Sequence, residues 1–328
     1  MKYAVLAMVL SGSVFGATIT PNYQNNYSFF DLGAAPGVQT PFGGMTFLAG
    51  DPNTLLIAGG ANLAQSAIDS LGVVRDAEGH ISGFATSAIF FAHSPNADGG
   101  LAYGPNGTLF FTEFANSKIG EIKPGSTGPD FTASLNSGLS SIGAVNFVPA
   151  GYNGAGNLVL GSYNNGTFCT SPMTGNGDGT YSLGNCTHTT NVGNSGPEGT
   201  VYVPQGSPVF SDNTMLVAMY RTGIVAAYQL DDNGLPIPTT EEDFITGLGR
   251  VQGAVVDPLT GDFLFSTFNG GNHLYAVRGF AAPVTTPEPG TSLLMGAGLI
   301  ISGLVFRARA RALPEQSGAD PDRRLSRR

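Results

Sequence analysis

A run of apolar residues opening on glycine returns five times, and this recurrence limits the folds open to the chain more than any other feature. The runs are GGMTFLAGDP from Gly43, GGLAYGPNG from Gly99, IGAVNFVPAG from Ile142, EGTVYVPQG from Glu198 and QGAVVDPLTG from Gln252. Each is followed by a second run (NTLLIAGG, GTLFFTEF, GNLVLGSY, NTMLVAMY, GDFLFSTF) and, after a short polar loop, by a third (SAIDSLGVV, SKIGEIKP, GTFCTSPM, TGIVAAYQL, HLYAVRGF). Such short segments, rich in β-branched and aromatic side chains and bounded by Gly, Asn, Asp or Pro, read as strands. Only residues 62–71 carry a helical rhythm.

A repeat of about fifty residues, each a small antiparallel sheet, is the signature of a β-propeller, because one sheet cannot cover both its faces and blades must stack around an axis. The expected fold class is therefore all-β, a propeller of five blades. Six would follow if the long first or fourth unit hid another, and a β-sandwich shares the same spacing of strands and turns. Fourth strands are expected in HISGFAT, near Phe131, around TYSLGNC and near EDFIT. The fifth unit lacks one, since Phe280 runs into AAPVTTPEP. Residues 26–32 (NYSFFDL) are the expected donor of that missing outer strand, which would close the ring and remove an exposed edge.

The two ends read differently. Met1-Lys2, the apolar YAVLAMVL and the small residues Ser11, Gly12, Ser13, Gly16 and Ala17 have the layout of a secretory signal peptide over 1–17, cut after Gly16 or Ala17. Residues 290–306 hold no ionisable side chain, and as a helix they would span roughly 25 Å, enough to cross a ~30 Å hydrocarbon core with local thinning. Arg307, Arg309 and Arg311 follow at once, and a basic flank marks the cytoplasmic side. The expected order is thus signal peptide, propeller over 18–280, linker over 281–289, transmembrane helix over 290–306 and basic cytoplasmic tail over 307–328.

With Pro287-Glu288-Pro289 ahead of the apolar stretch and the arginines, the tail resembles the PEP-CTERM sorting domain of Gram-negative bacteria. The resemblance covers the tail alone. It implies export through the secretion translocon, a precursor anchored in the inner membrane, cleavage near the tripeptide by an exosortase-type protease, and delivery to the cell surface or exopolysaccharide matrix. Here ALPEQSGADPDRRLSRR continues to Arg328, past the arginines where such tails usually stop. A second likeness lies in the repeats: LAYGPNGTLFFTEFANSKIGEIKPGS and VDPLTGDFLFSTFNGGNHLYAV resemble those of streptogramin-lyase and gluconolactonase-type propellers. It touches no catalytic motif and implies fold only.

Residues 17–286 hold six Lys/Arg against nineteen Asp/Glu. Nucleic-acid binding needs clustered positive charge and is excluded on that ground. The only cysteines, Cys169 and Cys186, would enter an oxidising compartment and flank a Gly175-Asn176-Gly177-Asp178-Gly179 turn, so a hairpin there brings them together as a disulfide bracing the third blade. Free thiols or a metal pair are the alternatives. Pro172, which cannot donate to a ladder, leaves the register open.

In a propeller, the loops joining second to third strands and one blade to the next share one rim. Those loops hold Glu113, Asn116, Tyr163, Asn164, Arg221, Asn269, Asn272 and His273, with His93, Asp98, Glu198, Arg250 and Gln252 between blades. The candidate ligand site is Glu113, Asn164, Glu198, Arg221 and Arg250. Two functions compete for it: a surface or matrix protein that binds a glycan, small ligand or protein without a cofactor, and a secreted metal-dependent lactonase or lyase. In the second, Glu113, Asn164 and Glu198 would hold Ca²⁺ or another divalent cation, with His93 or His273 as base beside Glu113; two nearby arginines disfavour a cation. No GxSxG, HExxH or phosphate loop occurs. Asp231-Asp232-Asn233-Gly234 hints at a calcium loop, but Leu235 and Pro236 stand where further ligands should, and a polar turn accounts for it.

Overall fold

Second strands with apolar residues at successive positions have no solvent-facing side, and the structure shows why. In the computed structural model, which describes residues 16–283 except 86, 115, 136–138 and 269–270, each such strand lies between two different cores. Leu55 and Ile57 pack into one cluster and Leu56 and Ala58 into the next. Met215 and Val217 likewise separate from Leu216 and Ala218. Five such clusters fill the five junctions between five blades. The expected signal peptide up to residue 15, the Pro287-Glu288-Pro289 motif, the 290–306 span and the arginine cluster lie outside the described residues. No helix among the described residues is long and apolar enough to cross a membrane.

Two strands precede the blades: β1 (Thr18–Ile19) and β2 (Ser28–Gly33). Blade 1 contains β3 (Phe42–Leu48), β4 (Asp51–Gly59), β5 (Ala67–Arg75), β6 (Ile81–Phe84) and β7 (Ile89–His93), the last two both paired with β5. Blade 2 is β8 (Ala97–Tyr103), β9 (Leu109–Glu113), β10 (Lys118–Ile122) and β11 (Phe131–Ser134). Blade 3 comprises β12 (Ile142–Phe147), β13 (Leu158–Ser162) and β14 (Thr167–Ser171). A separate hairpin, β15 (Met173–Gly175) and β16 (Tyr181–Leu183), intervenes before its outer strand β17 (His188–Asn191). Blade 4 runs β18 (Pro197–Tyr202), β19 (Thr214–Met219), β20 (Ile224–Gln229) and β21 (Glu242–Thr246). Blade 5 has β22 (Arg250–Val256), β23 (Phe263–Phe268) and β24 (Leu274–Arg278).

Three expectations change. Residues 62–71 form a turn and the start of β5, not a helix; pairing of β5 on both sides outweighs the local rhythm. The long first unit spends its length on β7, and the fourth on loops around β18 and β20, so neither hides a sixth blade. The outer strand of blade 3 is β17, not the TYSLGNC segment. Pro172 ends β14, and the chain leaves as the β15–β16 hairpin before returning. The polar sequence of β17, solvated at the blade's edge, gives no apolar signal.

The Cys169–Cys186 disulfide clasps that excursion at its base, with Cα atoms 5.5 Å apart. Closing a 17-residue separation stabilises by about 3 kcal/mol. Replacing both cysteines by alanine should therefore lower the urea midpoint of unfolding, with a slope equal or slightly steeper because the unfolded chain is freer to expand; an unchanged midpoint would show that the hairpin holds without the bond.

The ring closes as expected. β2 pairs antiparallel with β24, Ser28 opposite Arg278 and Phe30 opposite Ala276, giving blade 5 its outer strand. β1 adds to the outer edge of blade 4, Thr18 opposite Thr246. Between them, Tyr23 and Tyr27 drop into a cluster with Phe210, Phe244 and Phe280. Blades 5 and 1 are also tied by charge. Arg75 Nη1 and Nη2 reach Asp257, at 2.6 and 3.0 Å, and Arg278 meets Asp76 at 2.8 Å.

The innermost strands β3, β8, β12, β18 and β22 touch in sequence around the axis, and β22 returns to β3. Each carries a register shift near its start, at the glycine that opens the repeat. A bulge at this point re-aims the neighbouring side chain and frees a backbone N–H. Two blades use the freed group in the same way. Gly100 donates to Thr112 Oγ1, whose hydroxyl passes on to the Gly143 carbonyl of the next blade, and Gly253 donates to Ser266 Oγ, which donates to Gly43.

Candidate ligand-binding site at one mouth of the ring

The bulged residue before each repeat glycine is Phe42, Asp98, Ile142, Glu198 or Gln252. The three polar ones are almost fully buried. Asp98 Oδ1 accepts a hydrogen bond from Gln252 Nε2 at 2.6 Å. Glu198 accepts the Gly99 N–H and pairs with the Asp98 carboxyl. The inner glycines make room for it: a Cβ on Gly143 would sit 2.6 Å from Glu198 Oε2. Burial pushes Asp98 up to about 7, and burial together with the Asp98 charge pushes Glu198 well above the usual carboxylate range. Asp98 Oδ2 and Glu198 Oε2 otherwise lack donors, and a proton held between the two carboxyls supplies one. This cluster seals the axis.

Above it, the second strands end in aromatics at equivalent places: Phe114, Tyr163, Tyr220 and Phe268, with Gly60 in blade 1. Three are pinned by the same backbone bond to the entry of their own inner strand: Phe114 to Asn96, Tyr163 to Ser141 and Tyr220 to Gly196. The Tyr163 and Tyr220 rings meet edge to face at 5.6 Å, as do Tyr220 and Phe268. Arg221 lies 4.3 Å over Tyr163, and Arg250 lies 5.5 Å from the Tyr220 ring centre and bonds its hydroxyl. Gly196 leaves space for this stack, since a Cβ there would come within 3.0 Å of both Arg221 and Tyr163. Asn164 Oδ1 and the carbonyls of Asn164 and Asn194 brace Arg221 at 3.3–3.4 Å, while Asn164 Nδ2 is tied to Ser140.

Of the residues expected at the rim, Asn164, Glu198 and Arg221 thus share one network, and Arg250 joins it through Tyr220. Glu113 does not enter it. It is buried within blade 2, facing Thr132 and Asn116 with Lys118 opposite in the ladder. His273 bonds Asp31 of β2 at 2.9 Å and His93 packs on Phe90, so both point toward outer strands and neither meets Glu113. Asn269 lies outside the described residues. Phe114, Tyr220 and Phe268 were not singled out from sequence, although the aromatic closing four of the five second runs is a readable signal.

The donors proposed for a divalent cation do not fit one. Glu113 is committed elsewhere, Asn164 holds an arginine, and Glu198 shares a proton with Asp98 beneath that same arginine. Among the described residues no group of three His, Cys, Asp or Glu could hold a metal ion. Asp231 is a turn former, its Oδ1 accepting the N–H groups of Asn233 and Leu235. At the far end of the axis the inner strands frame an open pocket of about 300 Å³ lined by residues such as Met45, Leu101, Tyr103, Phe147, Tyr202 and Val255. No carboxylate, histidine or cation lines it.

These features define a closed five-bladed β-propeller with an aromatic and arginine mouth over a sealed axis. No protein-family model and no curated protein matches the chain. Among solved structures it is similar to the PQQ-bound aldose sugar dehydrogenase of Streptomyces coelicolor, at 12% identity and TM-score 0.43 over 75% of this chain and 83% of that one. A streptogramin B lyase is similar at 11% identity and TM-score 0.42, over 77% and 98%. The glutaminyl cyclase of Myxococcus xanthus is similar at 13% and 0.44, over 80% and 95%. No residue role passes from these chains to this one.

Proposed function

We propose that the chain is an exported, non-enzymatic binding protein of the cell surface or exopolysaccharide matrix, and that it takes a glycan at the mouth formed by Tyr163, Tyr220, Phe268, Arg221 and Arg250. One observation carries this reading: neighbouring aromatic rings and guanidinium forks stand together over a floor closed by Asp98, Glu198 and Gln252. The apolar face of a sugar ring stacks on aromatic rings while its hydroxyls accept from arginine N–H groups. A shallow, sealed site suits recognition of a chain lying across it.

Export rests on the N-terminal charge and apolar run and on the PEP-CTERM-like tail, with the translocon and an exosortase-type protease as processing partners. Cleavage after Ala17 would start the mature chain on β1, and a disulfide suits an oxidising compartment. The reading is tested by titrating the purified chain with oligosaccharides in a calorimeter. Tyr220→Ala should weaken binding by about tenfold or more, the scale of a lost aromatic anchor, without lowering the melting temperature by more than a few degrees. Equal binding by wild type and variant would place the ligand elsewhere.

A further inference from the structure

Resting on that reading, we infer that the ligand is an acidic saccharide whose carboxylate is received by Arg221 and Arg250. The inference begins with how the chain spends its few cations. Residues 17–286 hold six Lys/Arg among nineteen Asp/Glu, so a cation there meets a carboxylate unless something keeps it away. Arg75, Arg278 and Lys123 are ion-paired with Asp257, Asp76 and Asp130, and Lys118 stands opposite Glu113 in the ladder. Among the described residues, Lys118, Arg221 and Arg250 make no ion pair; Lys118 faces Glu113, and the acid that Arg221 feels is the buried Glu198, itself paired with the Asp98 carboxyl.

Arg221 and Arg250 sit at the same mouth, each on one of two rings whose centres are 5.6 Å apart. Their fixation is by ring faces, backbone carbonyls, the Asn164 amide oxygen and the Tyr220 hydroxyl, groups that orient a guanidinium without neutralising it. The bonds of Arg221 to Asn164 and Asn194 use Nη1 and one N–H of Nη2, so its Nε and the second Nη2 N–H are the edge left to match the two oxygens of a carboxylate.

The floor below is consistent with an anion above it. Asp98 and Glu198 are the nearby acids on the axis; while they share a proton they carry less negative charge toward the mouth. The buried Gln252 Oε1, without a donor, adds no charge there either. The tyrosine and phenylalanine rings fit the pyranose that bears the acid. A free phosphate has the charge but no face to stack, which separates the two sources of anionic chemistry.

The experiment is a calorimetric titration of the full chain with an oligogalacturonate, a neutral glucan oligomer of equal length, and inorganic phosphate. The expected result is binding of the uronate oligomer at least about tenfold tighter than the neutral one, the scale of one charge-assisted hydrogen-bonded contact, with phosphate negligible. Arg221→Gln and Arg250→Gln should each erase most of that preference and leave residual neutral binding, and Arg250→Lys, which keeps charge but loses the fork, should fall between. Melting curves of each variant verify folding. Equal affinity for uronate and neutral oligomers overturns the inference and leaves the glycan reading standing. Failure of both sugars to bind overturns both. Phosphate binding as tightly as the uronate overturns the saccharide part.

Discussion

A chain lacking residues 17–33 is expected to lose its cooperative unfolding transition altogether, although the deleted segment contributes no inner strand. Its removal leaves β24 as an open edge and strips β21 of β1, unpairing backbone groups on two adjacent blades. Unpaired edges also template association between chains. It further removes Tyr23 and Tyr27 from contact with Phe210, Phe244 and Phe280, where the Tyr27 hydroxyl also donates to the Pro208 carbonyl. Truncating one large buried ring costs about 3–5 kcal/mol, and two are lost here. A domain's net stability is about 5–15 kcal/mol, so the sum of rings and strands exceeds what the ring can lose. Tyr27→Ala alone tests the same idea more gently. Its melting curve should remain cooperative with a urea midpoint lowered by the equivalent of roughly 3 kcal/mol or more. If the deletion variant instead unfolds like wild type, closure by the N-terminal strand contributes nothing to stability.

That closure was legible because residues 26–32 have a strand's composition and the fifth unit visibly lacks an outer strand. The blade count was legible for a related reason: each inner strand needs a glycine where neighbouring backbones converge, and those glycines mark the repeats. What stayed hidden was either too short or too polar to leave a pattern, as with two-residue β1 and solvated β17. The site divides along the same lines. Arg221 and Arg250 were placed by their positions beside strand ends, where side chains have few places to go but the mouth. Glu113 was misleading because successive residues of a strand face opposite ways. It occupies the position of Ser162, Met219 and Thr267, all buried within their blades, while the next residue along carries the aromatic. Aligning the repeats by burial rather than by charge separates the two.

Stability should fall as pH rises from 5 to 8, against the usual acid sensitivity of proteins, and the axial carboxyls are the cause. Asp98 titrates near 7 in the fold against about 3.8 when unfolded, and Glu198 is displaced in the same direction. Below pH 4 both states of Asp98 hold the proton, and its contribution is fully present. Between 4 and 7 the unfolded chain gives up a proton that the folded chain keeps, so stability declines by up to 1.36 kcal/mol per pH unit, toward a total of about 4 kcal/mol for Asp98 as an upper bound. Glu121 acts in the same sense, raised to about 7 by burial behind the β15–β16 hairpin despite the Tyr181 N–H it accepts. Asp51 and Asp178 are lowered by hydrogen bonds at exposed turns and act only below pH 4, with little weight because water screens them. Around the axial pair, Gln252 is neutral, Arg221 is the cation that acts on Glu198, and the Tyr220 hydroxyl beside Arg250 is pushed up by burial, away from this range. Asp98→Asn retains Oδ1 as acceptor for Gln252 and places a permanent N–H donor toward Glu198. Its urea midpoint should exceed that of wild type at pH 8 and approach it at pH 5. A wild-type midpoint that rises from pH 5 to 8, or an Asp98→Asn variant with an unaltered pH slope, would mean that the two carboxyls do not share a proton on the axis.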